Sequence, residues 1–424
     1  MSTLAAKARF PGTVGRATCR FCGANLRHTF VDLGVQPLCQ THIEVSQLNQ
    51  MEPFYPLQVF VCENDFLVQL VEVVSPKEIF GEYAYFSSYS DSWLAHAEAF
   101  VGETVDRFSL GPSCLVVEIG SNDGYLLQYF VKKGVPVLGI DPAANVVEAA
   151  KRKGIPSLVR FFDEQLAGDL IAAGKRADFV VGNNVLAHVP NLNGFVLGIK
   201  TLLARQGVVS MEFPVLLHLM EKNQFDTIYH EHFSYFSLLS VERIFADQGL
   251  IIFDVDELPT HGGSLRIYAR HAEDLSKPVS GRVHEFLRRE TEAGFAQLEH
   301  YLSFMERVRE AKWNLLECLI NLKRMRKSIV GYGAPGKGNT LLNYCGIGRD
   351  FLDYTVDRNP YKQGKFTPGT HIPIFAPEKI RETRPDHVLI LPWNLEQEIR
   401  SQLSYIHEWG GKFIIPIPTV RIEP

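Results

Sequence analysis

Leu115-Val-Val-Glu-Ile-Gly120-Ser-Asn-Asp-Gly124-Tyr-Leu-Leu127 is the stretch on which the fold of this chain turns. Leu115-Val-Val-Glu-Ile-Gly120 is a short apolar run ending in glycine, which reads as a strand. Gly120 then ends the run where a tight turn needs a residue without a side chain, and Ser121 onward opens a helix. A second apolar run, Val135-Pro-Val-Leu-Gly-Ile140, ends in Asp141, twenty-one residues after Gly120. This is the start of a doubly wound α/β sheet, with a glycine turn after the first strand and an acid after the second to hold ribose hydroxyls. Ala177-Asp-Phe-Val-Val and Gly207-Val-Val-Ser-Met-Glu-Phe read as further parallel strands.

The first loop also bears on the ligand. It lacks the Gly-x-Gly-x-x-Gly spacing, and it carries Asp123 where a dinucleotide would bring its pyrophosphate. A carboxylate repels that diphosphate, whereas the sulfonium of S-adenosylmethionine is a cation without phosphate. The candidate cofactor residues are therefore Glu118, Gly120, Ser121, Asn122, Asp123, Gly124 and Asp141. Beyond the third strand, Gly182-Asn183-Asn184-Val-Leu-Ala-His188 puts Asn183, Asn184 and His188 at the carboxyl ends of the strands, where open α/β sheets bind ligands.

A different chemistry gathers in Phe225-Asp-Thr-Ile-Tyr229-His230-Glu231-His232-Phe-Ser-Tyr235-Phe236. Titratable groups set among apolar ones lose solvation and shift in pKa, which suits proton transfer and also occurs in satisfied buried networks. The two histidines are not four apart, so this is not the helical zinc motif of peptidases. In an extended segment His230 and His232 share a face, with Tyr229 and Glu231 on the other.

At 424 residues, with 46% hydrophobic and 21% charged, the chain is long enough for two or three globular domains. A net charge of -5 without a long basic run argues against nucleic acid or an anionic membrane as partner. No apolar run reaches bilayer length and none of signal-peptide length precedes Cys19, which places the protein in the cytoplasm. Cys19-Arg-Phe-Cys22-Gly23 has the spacing that lets two thiolates reach one metal. The matching half is Cys62-Glu-Asn-Asp65, with aspartate in fourth place; Cys39 and His42 are alternative fourth ligands, and a packed turn that has lost its metal is the other reading. Phe80 to Ser90 carries Tyr83, Tyr85 and Tyr89, each either a core aromatic or a proton donor.

Thr260-His261-Gly-Gly-Ser-Leu-Arg266 reads as the tail of the central sheet, with a hairpin turn or glycines close to a ligand. From Val283 to Arg326 apolar residues recur at helical spacing, giving helices that link domains and offer a dimer surface, so monomer and homodimer both stand. Ser328-Ile-Val-Gly331-Tyr-Gly333-Ala-Pro-Gly336-Lys337 then restarts an α/β pattern, with Lys337 and Thr340 available for phosphate oxygens. On spacing alone this loop fits NAD, and the alternative function is an NAD-dependent nucleotide-sugar oxidoreductase.

Glu118-Ile-Gly-Ser-Asn-Asp-Gly-Tyr-Leu-Leu, Asn183-Asn184-Val-Leu-Ala-His188 and Tyr229-His230-Glu231-His232-Phe-Ser-Tyr closely resemble the sugar C-methyltransferases, which act on nucleoside-diphosphate 4-keto-deoxysugars. The Cys19-x-x-Cys22 knuckle, Pro56 to Cys62, Tyr83 to Ser88 and Gly331 to Thr340 share the resemblance, which covers nearly the whole chain. It implies an α/β enzyme with a zinc-binding N-terminal module over 1–80, a central Rossmann-like S-adenosylmethionine domain over 81–280, and helices leading to a C-terminal Rossmann-like domain over 281–424. It implies His232 as base, supported by Glu231 and Tyr229, with His188 and Tyr83 near the reacting carbons. Zinc falls to Cys19, Cys22, Cys62 and position 65, apart from the reacting centre. The resemblance gives the loop of Gly333, Gly336, Lys337 and Asn339 to the substrate's diphosphate or to interdomain packing, and implies as substrate a ketosugar on a thymidine diphosphate methylated at C-3. Carbon methylation needs a carbanion equivalent, obtained by removing a proton beside a ketone, so a base of near-neutral pKa fits this chemistry without a metal.

Overall fold

The computed structural model describes residues 17–71, 73–75, 79, 87–89 and 91–424. Its first layer is an antiparallel sheet of β1 (His28–Gln36), β2 (Tyr55–Val61) and β3 (Val68–Leu70). Alternation puts Leu57, Val59 and Val61 of β2 inside while the residues between them face outward. On the outer strand Phe30 stacks on Phe304 of the helix Phe304–Arg324, with ring centroids 4.8 Å apart.

The central sheet contains β4 (Val116–Ile119), β5 (Val137–Asp141), β6 (Ser157–Val159), β7 (Ala177–Asn183) and β8 (Leu203–Pro214), all mutually parallel. Every residue of β4 and β5 is buried, as expected for strands with helices on both faces. Two of the helices between the strands, Glu164–Ala172 and Leu192–Leu202, start on side-chain caps: Asp163 accepts from Leu166 N at 2.8 Å and Asn191 from Gly194 N at 3.2 Å. After β9 (Ser234–Tyr235), which pairs with β3 of the first sheet, the hairpin β10 (Leu250–Leu258) and β11 (Ser264–His271) closes the central sheet. Its order is β10-β11-β8-β7-β4-β5-β6, with β11 antiparallel to β8. A dinucleotide-binding sheet would have a sixth parallel strand in that place. The Thr260–Gly262 turn is thus the hairpin connection expected from the sequence.

Helices Gly281–Glu292, Leu298–Leu302 and Phe304–Arg324 form the expected bridge. The last sheet comprises β12 (Ile329–Tyr332), β13 (Thr355–Val356), β14 (Ile374–Phe375), β15 (His387–Ile390), β16 (Lys412–Ile415) and β17 (Arg421–Glu423), in the order β14-β13-β12-β15-β16-β17. Only β17 runs antiparallel among these. Strand order reverses beside β4 in the central sheet and beside β12 here, and such switch points open crevices at the strands' carboxyl ends. No helix among the described residues is long and apolar enough to cross a membrane.

Candidate active site

At the first switch point the turn after β4 is forced by packing: Gly120 has φ +70°, and a Cβ there would stand 2.4 Å from Val185 Cγ2. Asp141 braces the turn, accepting from Asn122 N at 3.0 Å and Ala143 N at 2.9 Å. Glu118 is buried behind it, and burial raises its carboxyl well above the usual range. Asp123 pairs through one oxygen with Lys153 at 2.9 Å. Its other oxygen, Ser121 Oγ, Asn183 Oδ1 and Asn184 Oδ1 are buried without hydrogen-bond partners among the described residues. Buried polar atoms are seldom left so, and this set of acceptors fits a ligand rich in hydroxyl and amine donors, as S-adenosylmethionine is.

The residues from Leu216 to Phe236 cross over this crevice and meet all three parts of the molecule. Trp393 Nε1 donates to Asp226 Oδ2 at 2.7 Å, Thr340 Oγ1 to the Ile228 carbonyl at 3.2 Å, and His230 Nε2 lies 3.1 Å from the Pro56 carbonyl. Phe225, Ile228, Phe233 and Phe236 anchor the segment in the core. Residues 230 and 231 form a turn, with His232 N bonded to the Tyr229 carbonyl at 2.9 Å. The shared face expected of an extended segment is therefore not formed: the turn sends His230 toward β2 and His232 toward the crevice.

His232 Nδ1 lies 3.0 Å from the Thr227 carbonyl, and His188 Nδ1 lies 2.8 Å from the Glu231 carbonyl. A carbonyl accepts only, so each Nδ1 carries the proton and each Nε2 the lone pair. The rings meet edge to face with centroids 4.9 Å apart, and Tyr229 lies 4.2 Å from His232. Burial holds His232 well below its ordinary pKa and takes His188 to about 4. Both are neutral at pH 7.

Glu231 does not hold His232. Its carboxyl meets Cys39 Sγ at 3.7 Å, raised to about 7 by burial, and the Thr227 carbonyl does the orienting instead. Lys337 reaches across from the last domain, its Nζ 2.8 Å from Asn394 Oδ1 and 4.6 Å over the Trp393 ring, and its charge is felt at both His232 and His261. Thr340, expected to face phosphate, is turned inward to Ile228. Asn339 Nδ2 donates to the Cys39 carbonyl at 2.7 Å. Tyr83 lies outside the described residues.

Cys19, Cys22, Cys62 and Asp65 come together, their ligand atoms all within 4.8 Å of one another. Tetrahedral zinc with bonds of about 2.3 Å sets sulfurs about 3.8 Å apart, so the 3.5 Å between Cys22 and Cys62 Sγ and the 3.3 Å between Cys19 Sγ and Asp65 Oδ2 fit that ion. Neither Cys39 nor His42 takes part: the first packs on Gly336, and the second lies 3.3 Å from the Ala334 carbonyl.

Three family models divide the chain: "Putative zinc binding domain" over residues 19–80, "Methyltransferase domain" over 93–254 and "C-methyltransferase C-terminal domain" over 259–418. The C-methyltransferase NovU of Streptomyces niveus is 36% identical over 404 residues, covering 95% of this chain and 96% of that one. This chain is a member of the sugar C-methyltransferase family. A ubiquinone biosynthesis O-methyltransferase of Bartonella bacilliformis is 25% identical over 134 residues, 30% of this chain and 54% of that one. Among solved structures, magnesium protoporphyrin IX methyltransferase from Synechocystis PCC 6803 aligns with 46% of this chain and 91% of its own at 19% identity and a TM-score of 0.35.

The methyltransferase is an S-adenosylmethionine-dependent enzyme, which replaces the oxidoreductase alternative. Its crevice holds residues that sequence reasoning passed over. His261 sits in the hairpin turn at φ 55°, 3.2 Å from Asn184 Nδ2 and edge-on to Trp93, and burial takes it to about 4. The His-Gly-Gly step after a strand was the available signal. Asp226, beneath Lys337, is raised to about 6 by burial. Nothing local in the sequence marks its partner Trp393 as reaching another domain.

Proposed function

We propose that the enzyme deprotonates the carbon beside the ketone of a nucleoside-diphosphate 4-keto-deoxysugar, C-3 of a thymidine-linked substrate, and methylates the resulting enolate in the cytoplasm. The observation that carries this is the state of His232, neutral through burial and with its Nδ1 proton committed to a main-chain carbonyl, so that Nε2 is the basic atom. The C–H proton passes to Nε2, and its electron pair moves onto the ketone oxygen. S-adenosylmethionine, when bound, supplies the methyl group to the enolate carbon and leaves as the thioether. Tyr229 walls the base and Glu231 positions His188 through its main-chain carbonyl; the family resemblance adds Tyr83 to the catalytic set.

Glu118, Gly120, Ser121, Asn122, Asp123, Gly124, Asp141, Asn183 and Asn184 hold the cofactor, in support of which stand the unpaired oxygens of this crevice. Lys337 brings positive charge to the side where enolate or phosphate oxygens gather, with Asn339 beside it and Gly333 and Gly336 shaping the loop. Zinc on Cys19, Cys22, Cys62 and Asp65 is structural. The working division is 1–80, 81–280 and 281–424.

His232→Gln tests the reading with a thymidine-diphosphate 4-keto-6-deoxysugar. Methyl transfer, and proton exchange at the same carbon in deuterated water with S-adenosylhomocysteine bound, are both expected to fall by about 10²–10⁴. S-adenosylmethionine binding by calorimetry stays as in the wild type. Exchange at the wild-type rate in His232→Gln overturns the assignment.

A further inference from the structure

One side chain of the metal knuckle reaches the segment that follows His232. Arg20 stands between the ligands Cys19 and Cys22. Its guanidinium donates to the Phe233 carbonyl, to Ser234 Oγ at 3.1 Å and to the Leu70 carbonyl at 2.8 Å. It also lies over the Phe233 ring, 5.6 Å from the centroid. Phe233 directly follows His232.

A second link runs beside the first. Gln69 Nε2 donates to Cys19 Sγ at 3.1 Å, and Gln69 Oε1 accepts from Arg20 N at 2.9 Å. Gln69 is itself paired in register with Ser234, as Val68 is with Tyr235. One side chain therefore reads the state of a metal-binding sulfur, fixes the backbone of Arg20 and sits in the strand ladder of the catalytic segment. Knuckle backbone bonds, Gly23 N to the Cys19 carbonyl at 2.9 Å and Cys19 N to the Ala24 carbonyl at 2.7 Å, shape the turn from which Arg20 projects.

We infer that Arg20 is a positioning residue through which the metal-bound knuckle holds the His232 turn in its working geometry. The knuckle is small, and a closed metal site supplies much of the order of such a segment. When the metal leaves, the backbone that aims Arg20 loses its definition. Ordering of residues 228–236 is then lost with it, while the central sheet stays folded. A guanidinium suits the task because its rigid planar fork spreads its donors over separate nitrogens in fixed directions, whereas the three donors of an ammonium sit on one atom at the end of a flexible stem.

The test compares full-length wild type, Arg20→Gln and Arg20→Lys by amide hydrogen exchange, zinc stoichiometry and S-adenosylmethionine affinity, each before and after chelation. Chelating the wild type is expected to speed exchange in 228–236 about tenfold or more while β4 amides keep their protection. Arg20→Gln, with its zinc retained, reproduces that local change, and chelating this variant adds little to it. Arg20→Lys is intermediate. Independent effects of the two perturbations would add, so non-additivity is the signature of one pathway. Unchanged exchange in 228–236 after chelation of the wild type overturns the inference, as do fully additive effects.

The kinetic consequence rests on the reading of His232 as base: kcat falls in Arg20→Gln while the KM for S-adenosylmethionine holds. The exchange arm involves no sugar substrate. Local loosening without a change in kcat therefore counts against the assignment of the base, and not against the coupling.

Discussion

Replacing Arg266 with methionine strands a charge whose cost can be worked from the structure. Glu212 is fully buried on β8, its carboxylate 2.5 Å from an Arg266 nitrogen, 3.1 Å from His96 Nε2 and 2.9 Å from Thr260 Oγ1. Burial pushes the carboxyl up, but the hydrogen bond from His96 and the charge of Arg266 outweigh it and leave it at about 2 against an ordinary 4.5. That difference corresponds to about 3.4 kcal/mol in favour of the charged form. That figure is the net of burial against His96, Arg266 and Thr260 together and not the share of Arg266; breaking a buried pair from one side costs about 3–5 kcal/mol, which sets the expected penalty. Methionine keeps contact with the Phe100 ring, over which the guanidinium lies at 4.0 Å, and the loss is therefore mainly electrostatic. Native-state hydrogen exchange of β8 and β11 amides should report a local loss of about 3–5 kcal/mol in Arg266→Met. The double variant Arg266→Met with Glu212→Met should regain most of it, because apolar replacement of a buried pair is often neutral. Since the folded pKa is depressed, the contribution is present above pH 4.5 and is lost as pH falls toward 2, so the penalty of Arg266→Met shrinks in acid. A single-variant loss below about 1 kcal/mol, or a double variant no better than the single, refutes the reasoning.

Two further outcomes follow from the site. Because burial keeps His232 well below 6.5, the acid limb of kcat/KM against pH should lie below 6.5; a limb at or above that value means that a different group is the base. Asp65→Cys supplies a fourth thiolate to a site already at zinc spacing and should raise the concentration of competing chelator needed to strip the ion by about tenfold or more, read by a metallochromic indicator. Easier stripping would mean that the carboxylate's bond to Leu67 N, 2.9 Å, matters more to the knuckle than ligand softness.

The architecture was legible where local pattern and packing agree. Val116 to Ile119 and Val137 to Asp141 read as buried parallel strands because both faces are covered, and no partner had to be known. The metal cluster was legible through spacing, including the aspartate that breaks the cysteine pattern. What stayed hidden depends on contacts far apart in sequence. Arg20 meets Phe233 across 213 positions and Trp393 meets Asp226 across 167, and neither leaves a periodic trace. The assignment of Glu231 as the partner of His232 failed for a simpler reason. Adjacent residues in a turn point apart, so neighbours in sequence were mistaken for neighbours in space.

The two glycine loops show why a motif alone could not choose the cofactor. At Gly331-Tyr-Gly333-Ala-Pro-Gly336 the fingerprint spacing is intact, and here, as at Gly120 beside Val185, the chain's own side chains lie against the glycines. A Cβ on Gly333 would stand 2.6 Å from Pro392 Cδ, and one on Gly336 would stand 3.0 Å from Cys39 Sγ. Asp357 and Asp141 brace their turns alike, accepting from Ala334 N at 2.8 Å and from Asn122 N at 3.0 Å, so the acid does not tell the two loops apart. Beyond the Gly331 loop Asn339 Oδ1 stays unpaired. At Gly120 the spacing is broken, but Ser121, Asp123, Asn183 and Asn184 keep buried oxygens unpaired among the described residues. The gathering of unpaired oxygens, rather than the spacing of the glycines, separates the two loops. The last domain therefore serves the crevice through side chains that cross it, Lys337 and Trp393, and its glycine loop seats the first module against the turn that carries His232.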